Sequence, residues 1–125
     1  MKKSLIILFI SVGFQSFSQT SKGKCGLNVA KSYTQTAFGK NIGYYVEFQN
    51  KSKSAVDAIE WQADFFTNFG DPKGKKAGSW SSGNLISPIE PGEFGKDLET
   101  NWSEGATKVY ITITRVHFTN GKTCK

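Results

Sequence analysis

The sequence predicts an all-β protein: an immunoglobulin-like antiparallel β-sandwich of about seven strands, with a small β-barrel as the alternative. Three observations predict it. Apolar and polar residues alternate at period two through the longest ordered segments. Clusters of Gly, Pro, Asn, Asp and Ser separate those segments. Beyond the N-terminal leader, no stretch carries apolar residues at helical spacing over three turns. The chain of 125 residues has material for one domain. Its composition, 38% hydrophobic and 21% charged, suits a folded chain rather than a disordered or multi-span membrane protein.

The first element is an address. Lys2 and Lys3 precede an apolar run from Leu5 to Phe14, and Ser16 and Ser18 supply small residues at the −3 and −1 positions of a cleavage site. The run is too short to span a bilayer, so residues 1–18 read as a secretory signal peptide and 19–125 as the single domain. No cysteine follows the apolar run closely, which argues against a lipoprotein. The expected location is outside the cell or in the periplasm. Cys25 and Cys124 agree with export: two cysteines near the ends of the exported domain predict one structural disulfide. Closing a loop of roughly 100 residues contributes about 4–5 kcal/mol in the chain-entropy account.

The first strand is expected over Leu27–Thr34. In the second, Ile42, Tyr44, Val46 and Phe48 form the apolar face, against Gly43, Tyr45, Glu47 and Gln49. Asn50 to Ser54 is a polar break. The third strand sets Ile59, Trp61, Ala63 and Phe65 against Glu60, Gln62 and Asp64, with Trp61 expected between the sheets. Residues 68–76 read as loop, Ala77–Ser82 as a weak edge strand, and Pro88 restricts Leu85–Ile89 to an edge or irregular stretch. Glu90-Pro91-Gly92-Glu93 is a turn. Phe94, Leu98 and Trp102 then share a parity, predicted to face the core, opposite Asp97 and Glu99. In Lys108–Thr119 the apolar parity slips from Ile113 to Val116, which predicts a β-bulge near Thr114-Arg115. Asn120-Gly121 is a strong hairpin signal, leading to a final strand through Cys124.

Val46 to Ser52, Ile59 to Phe66, Gly70, and Ile89-Glu90-Pro91-Gly92-Glu93 follow one another in a recognisable cadence. In this the chain resembles FxLyD-type and related immunoglobulin-like domains of bacterial secreted proteins. Ala63 to Thr67 occupies the approximate place of the name-giving motif without reproducing it. The resemblance covers about half of the exported domain and implies the fold; the family carries no catalytic residues to transfer.

Chemistry is sparse. His117 is the only histidine, on the strand parity opposite Val116 and Phe118, and reads as a surface residue. Glu60 and Asp64 share a strand face, but four residues separate their backbones by roughly 13 Å, which is long for a retaining glycosidase pair. Asp57, Asp64 and Asp71 lack calcium-loop spacing, and neither a metal site nor a cofactor is expected. Lys73, Lys75 and Lys76 form a basic cluster, and Lys51 and Lys53 a second; solubilising loop lysines are the simpler reading, with no nucleic-acid partner. Tyr45 and Tyr110 have outward parity, and Trp80 lies in a Gly/Ser-rich segment without apolar companions. Asn50-Lys51-Ser52 and Asn101-Trp102-Ser103 match the glycosylation pattern, by chance if the host is bacterial.

The expected function is a secreted, non-catalytic module for protein or cell-surface interaction. The alternative is a small carbohydrate-binding module using Trp80, Tyr45 or Tyr110. A small secreted hydrolase that depends on His117 ranks last.

Overall fold

The computed structural model describes residues 21–37, 40–100 and 105–125. The leader, the second glycosylation-pattern match and the expected core residue Trp102 lie outside the described residues. Seven strands follow in order: β1 (Leu27–Ala37), β2 (Lys40–Asn50), β3 (Val56–Phe66), β4 (Pro72–Ser81), β5 (Phe94–Thr100), β6 (Lys108–Phe118) and β7 (Thr123–Cys124). They form two antiparallel sheets, β1-β2-β5 and β4-β3-β6-β7. The chain changes sheet between β2 and β3, again between β4 and β5, and again between β5 and β6. That crossing pattern makes the immunoglobulin-like sandwich that the alternation predicted.

The core is where the inner faces meet. Tyr44, Val46 and Phe48 of β2 face Ile59, Trp61, Ala63 and Phe65 of β3 and Ile111, Ile113 and Val116 of β6, all buried. Phe48 packs on Trp61 at 5.1 Å between ring centroids, and Tyr44 meets Phe65 edge-on at 5.5 Å. The Trp61 indole Nε1 donates to the Tyr44 hydroxyl at 2.8 Å, so the one polar atom of the largest core side chain is satisfied across the sheets. Gly78 lies over that indole, and a Cβ there would overlap the ring nitrogen.

The expected parity slip in β6 is a bulge: Glu60 pairs with Arg115 but Trp61 with Ile113, leaving Thr114 as the extra residue. The domain's ends are tied twice. Cys25 and Cys124 form the predicted disulfide. Lys22 also pairs in parallel with β6, donating to the Ile111 carbonyl and accepting from the Ile113 N–H, before the chain crosses to β1.

Two expectations are corrected. Residues 68–76 are not all loop. Thr67–Asp71 makes a tight hairpin and β4 resumes at Pro72, pairing along β3 to Ser81. β4 is an edge strand with little burial, so its Lys-Gly-Lys-Lys segment needs no apolar alternation to hold the ladder.

β5 is turned the other way from its apolar parity. Leu98 is 61% and Phe94 55% exposed, while Gly95, Asp97 and Glu99 face inward. The preceding corner fixes this register. Asn50 N–H donates to the Glu93 carbonyl and Gly92 N–H to the Asn50 carbonyl, placing Gly95 opposite Phe48. The side chain of Ile89 fills the space that a Cβ at Gly95 would need. Once the register is set, every side chain on the strand follows it.

Candidate interaction surface

The inverted β5 changes the outer face of the three-stranded sheet. Across it, Tyr33 of β1 pairs with Tyr45 of β2, and Tyr45 pairs with Leu98 of β5. These three side chains make one row on the outer face. The next row holds Lys31, Glu47 and Lys96, and Phe94 lies beyond it opposite Gln49. Tyr33 is 44% exposed, so the face presents three aromatic side chains and one leucine towards solvent, with cations on both sides of Glu47.

The tyrosines stack on each other, with centroids 5.0 Å apart and planes 26° from parallel. Rings lying side by side in one plane would be farther apart, so each tyrosine covers part of the other's face. The Tyr45 hydroxyl donates to Glu47 Oε1 at 2.8 Å, which raises its pKa and fixes the ring on the sheet.

Behind this face sits a carboxyl pair. Asp97 and Glu99 are two residues apart on β5, both half-buried on the inner side. The hydrogen bond with Asp97, then burial, pushes Glu99 up to about 7. Asp97 Oδ2 is buried without a hydrogen-bond partner. Desolvation of the adjacent Tyr44 hydroxyl raises it to about 12. Glu99 also borders a shallow cleft of about 410 Å³ with Trp61, Gly78 and Ser79.

The other predicted residues are dispersed. Trp80 has the inward parity of β4, opposite Ile59, and packs half-buried against the core edge. Tyr110 is half-buried on the outer face of the other sheet, opposite Asp64. It is therefore on the opposite side of the sandwich from Tyr45. Lys73, Lys75 and Lys76 are exposed on β4, and Lys51 and Lys53 on the turn after β2.

His117 is an outer-face residue as expected, but it has a partner that the sequence did not signal. Its Nδ1 lies 2.6 Å from Asp57 Oδ1 across β3 and β6. Beside it Arg115 Nη2 donates to Glu60 Oε2 at 2.6 Å. Glu60, Arg115 and His117 border a cleft of about 270 Å³ with Thr123 on the β7 side. These are exposed cross-strand pairs, which carry modest energy.

Asn50 is fully buried. Its amide nitrogen donates to the Ser54 and Ile89 carbonyls, both at 2.8 Å, and its Oδ1 accepts from Ser52. The glycosylation-pattern match at this position is therefore a structural corner with its acceptor nitrogen already engaged.

Among the described residues, no group of three or more His, Cys, Asp or Glu is poised for a metal and no helix is long and apolar enough to cross a membrane. No family model matches the chain, and no curated protein or solved structure matches it either.

Sequence reasoning missed Tyr33, Phe94 and Leu98 at the surface and Asp97 and Glu99 behind it. One signal was present: Gly95 next to a strongly turn-forming Glu90–Glu93 marks a position where another side chain approaches closely.

Proposed function

We propose that the protein is a secreted, non-catalytic module that docks a protein partner on the outer face of β1-β2-β5. The observation that carries this reading is the Tyr33–Tyr45–Leu98 row. It is a cross-sheet strip of tyrosine and leucine at the centre of a polar rim, on three rigid strands. Tyrosines held in place by packing make interface anchors at little entropy cost. The charged row of Lys31, Glu47 and Lys96 supplies a rim that selects partners by charge. The Cys25–Cys124 bridge supports an oxidising compartment.

A glycan platform works best with ring faces open to solvent. Stacking covers part of one face of each tyrosine, and Trp80 is turned inward, so a protein partner is favoured over a carbohydrate. A photo-crosslinking residue at position 33 or 98, compared with one at exposed Thr114 on the other sheet, tests the proposal in the exporting host. Adducts with one discrete protein from positions 33 and 98 only are the expected result. Equal labelling from all three sites would overturn it. Glycan-array binding lost in Tyr33→Ala would move the reading to a carbohydrate module.

A further inference from the structure

The tip of the β3–β4 hairpin presents a phenylalanine to solvent on a built support. Phe69 is 92% exposed. The turn beneath it is closed by Thr67 N–H to the Asp71 carbonyl and Gly70 N–H to the Thr67 carbonyl, both 2.9 Å. The Thr67 hydroxyl accepts from the Phe69 and Asp71 N–H groups at 3.2 Å. Asn68 is pinned through its Oδ1 by the Thr107 hydroxyl at 2.9 Å. Gly70 takes a φ of 87°, which lets the chain turn so tightly. This network fixes the backbone, yet the ring it carries packs on nothing that buries it.

Lysines cluster at the same end of the sandwich. Lys73, Lys75 and Lys76 follow on β4 and are exposed, and Lys108 opens β6 opposite Phe66 at the same end of the sandwich. Among the described residues at this end, Asp71 lies in the turn and Asp64 is the cross-strand neighbour of Lys75. At the other end, the exposed Leu85 lies in a loop, 82–88, that holds no lysine or arginine and is followed by Glu90 and Glu93. Lys51 and Lys53 on the turn after β2 lie at that end too, so what sets the Phe69 end apart is that its lysines follow the apolar point directly on the same hairpin.

We infer that the β3–β4 tip docks on an anionic lipid surface, Phe69 entering the headgroup–acyl boundary while Lys75, Lys76 and Lys108 meet the phosphates. A protein interface needs a broad apolar centre, whereas one inserted ring within a belt of lysines has the composition of an interfacial membrane contact. The inference is independent of the partner face on β1-β2-β5.

Flotation of the exported protein with vesicles tests it. Two compositions serve: phosphatidylcholine alone, and phosphatidylcholine mixed with phosphatidylglycerol in equal parts. Binding is expected on the anionic vesicles and should weaken as salt screens the lysines. Phe69→Ala should lower the partition by about tenfold, the equivalent of losing part of a phenylalanine's transfer energy. Lys75→Gln/Lys76→Gln should also lower it by roughly tenfold, since each lysine near such a surface contributes about a factor of five or less. Both variants change exposed side chains, and thermal melts matching wild type confirm that they fold. Three results would overturn the inference: no binding to anionic vesicles, binding unaffected by both variants, or capture by heparin with none by vesicles.

Discussion

Asn50 shows how much one side chain can decide. Its amide and carbonyl oxygen tie the β2–β3 corner to Ser52, Ser54 and Ile89, and its backbone ties the same corner to β5 through Gly92 and Glu93. Asn50→Ala would keep the backbone bonds but take one of two donors from each of the Ser54 and Ile89 carbonyls and release Ser52. The expected cost is about 3 kcal/mol, because several hydrogen bonds of one buried amide, each worth about 1 kcal/mol net, are lost together; the urea midpoint measures it. Glu99 carries a second residue-scale prediction. Its carboxyl is raised from the ordinary 4.5 to about 7 by Asp97 and by burial. A folded pKa above the unfolded one means that the folded chain holds the proton more tightly. The associated stability is fully present below pH of about 4.5 and is lost as pH rises through about 7. Glu99→Gln should flatten that decline, read from melting temperatures across the same window. A slope unchanged from wild type would assign the pH dependence to another group. Neither residue was legible in the sequence as anything but polar. Asn50 looked like a turn residue because a hydrogen-bond partner 39 residues away leaves no local pattern, and Glu99 looked like half of a solvated face because the register that turns β5 inward is set outside the strand.

Among the elements, legibility follows burial. β2, β3 and β6 each bury one face, so alternation named their inner residues correctly, down to the bulge at Thr114. β4 buries little, so its length was hidden by lysines that an edge strand tolerates. β5 has a clean alternation that points the wrong way, since its register is imposed by the Asn50 corner and by Ile89 against Gly95 rather than by its own apolar residues. The inversion has a direct consequence. Leu98→Ser should change stability by no more than about 0.5 kcal/mol, as surface substitutions usually do. Ile111→Ala, at a fully buried site in β6, should cost about 2–5 kcal/mol. Comparable losses in the two denaturation curves would contradict an outward Leu98. The candidate surface was hidden for the same reason: Tyr45 was legible on β2, but its neighbours depend on the register of β1 and β5.

At the scale of the molecule, the sandwich closes at the chain's two ends, and the disulfide is the covalent part of that closure. Ser21–Lys24 lies along β6 in one sheet, and the chain then turns at Cys25 and Gly26, both with positive φ, to enter β1 in the other. Left-handed backbone is unfavourable for a cysteine, so tertiary structure must hold the crossing in place. The bond to Cys124 joins that crossing to β7, which has only two residues and pairs with β6 alone. Cutting the bond therefore loosens both weakly paired termini and frees the unfolded chain. With a sequence separation of 99 between the cysteines, the chain-entropy account gives about 4.7 kcal/mol, and removal of a native bridge from a small domain typically costs about 2–5 kcal/mol. The double variant Cys25→Ser/Cys124→Ser should lose stability in that range. Hydrogen exchange should rise first at the Lys22–β6 pairing and at β7, while the β2, β3 and β6 core keeps its protection until global unfolding. Uniform exchange across all strands in the variant would instead show that the bridge acts on the unfolded chain alone.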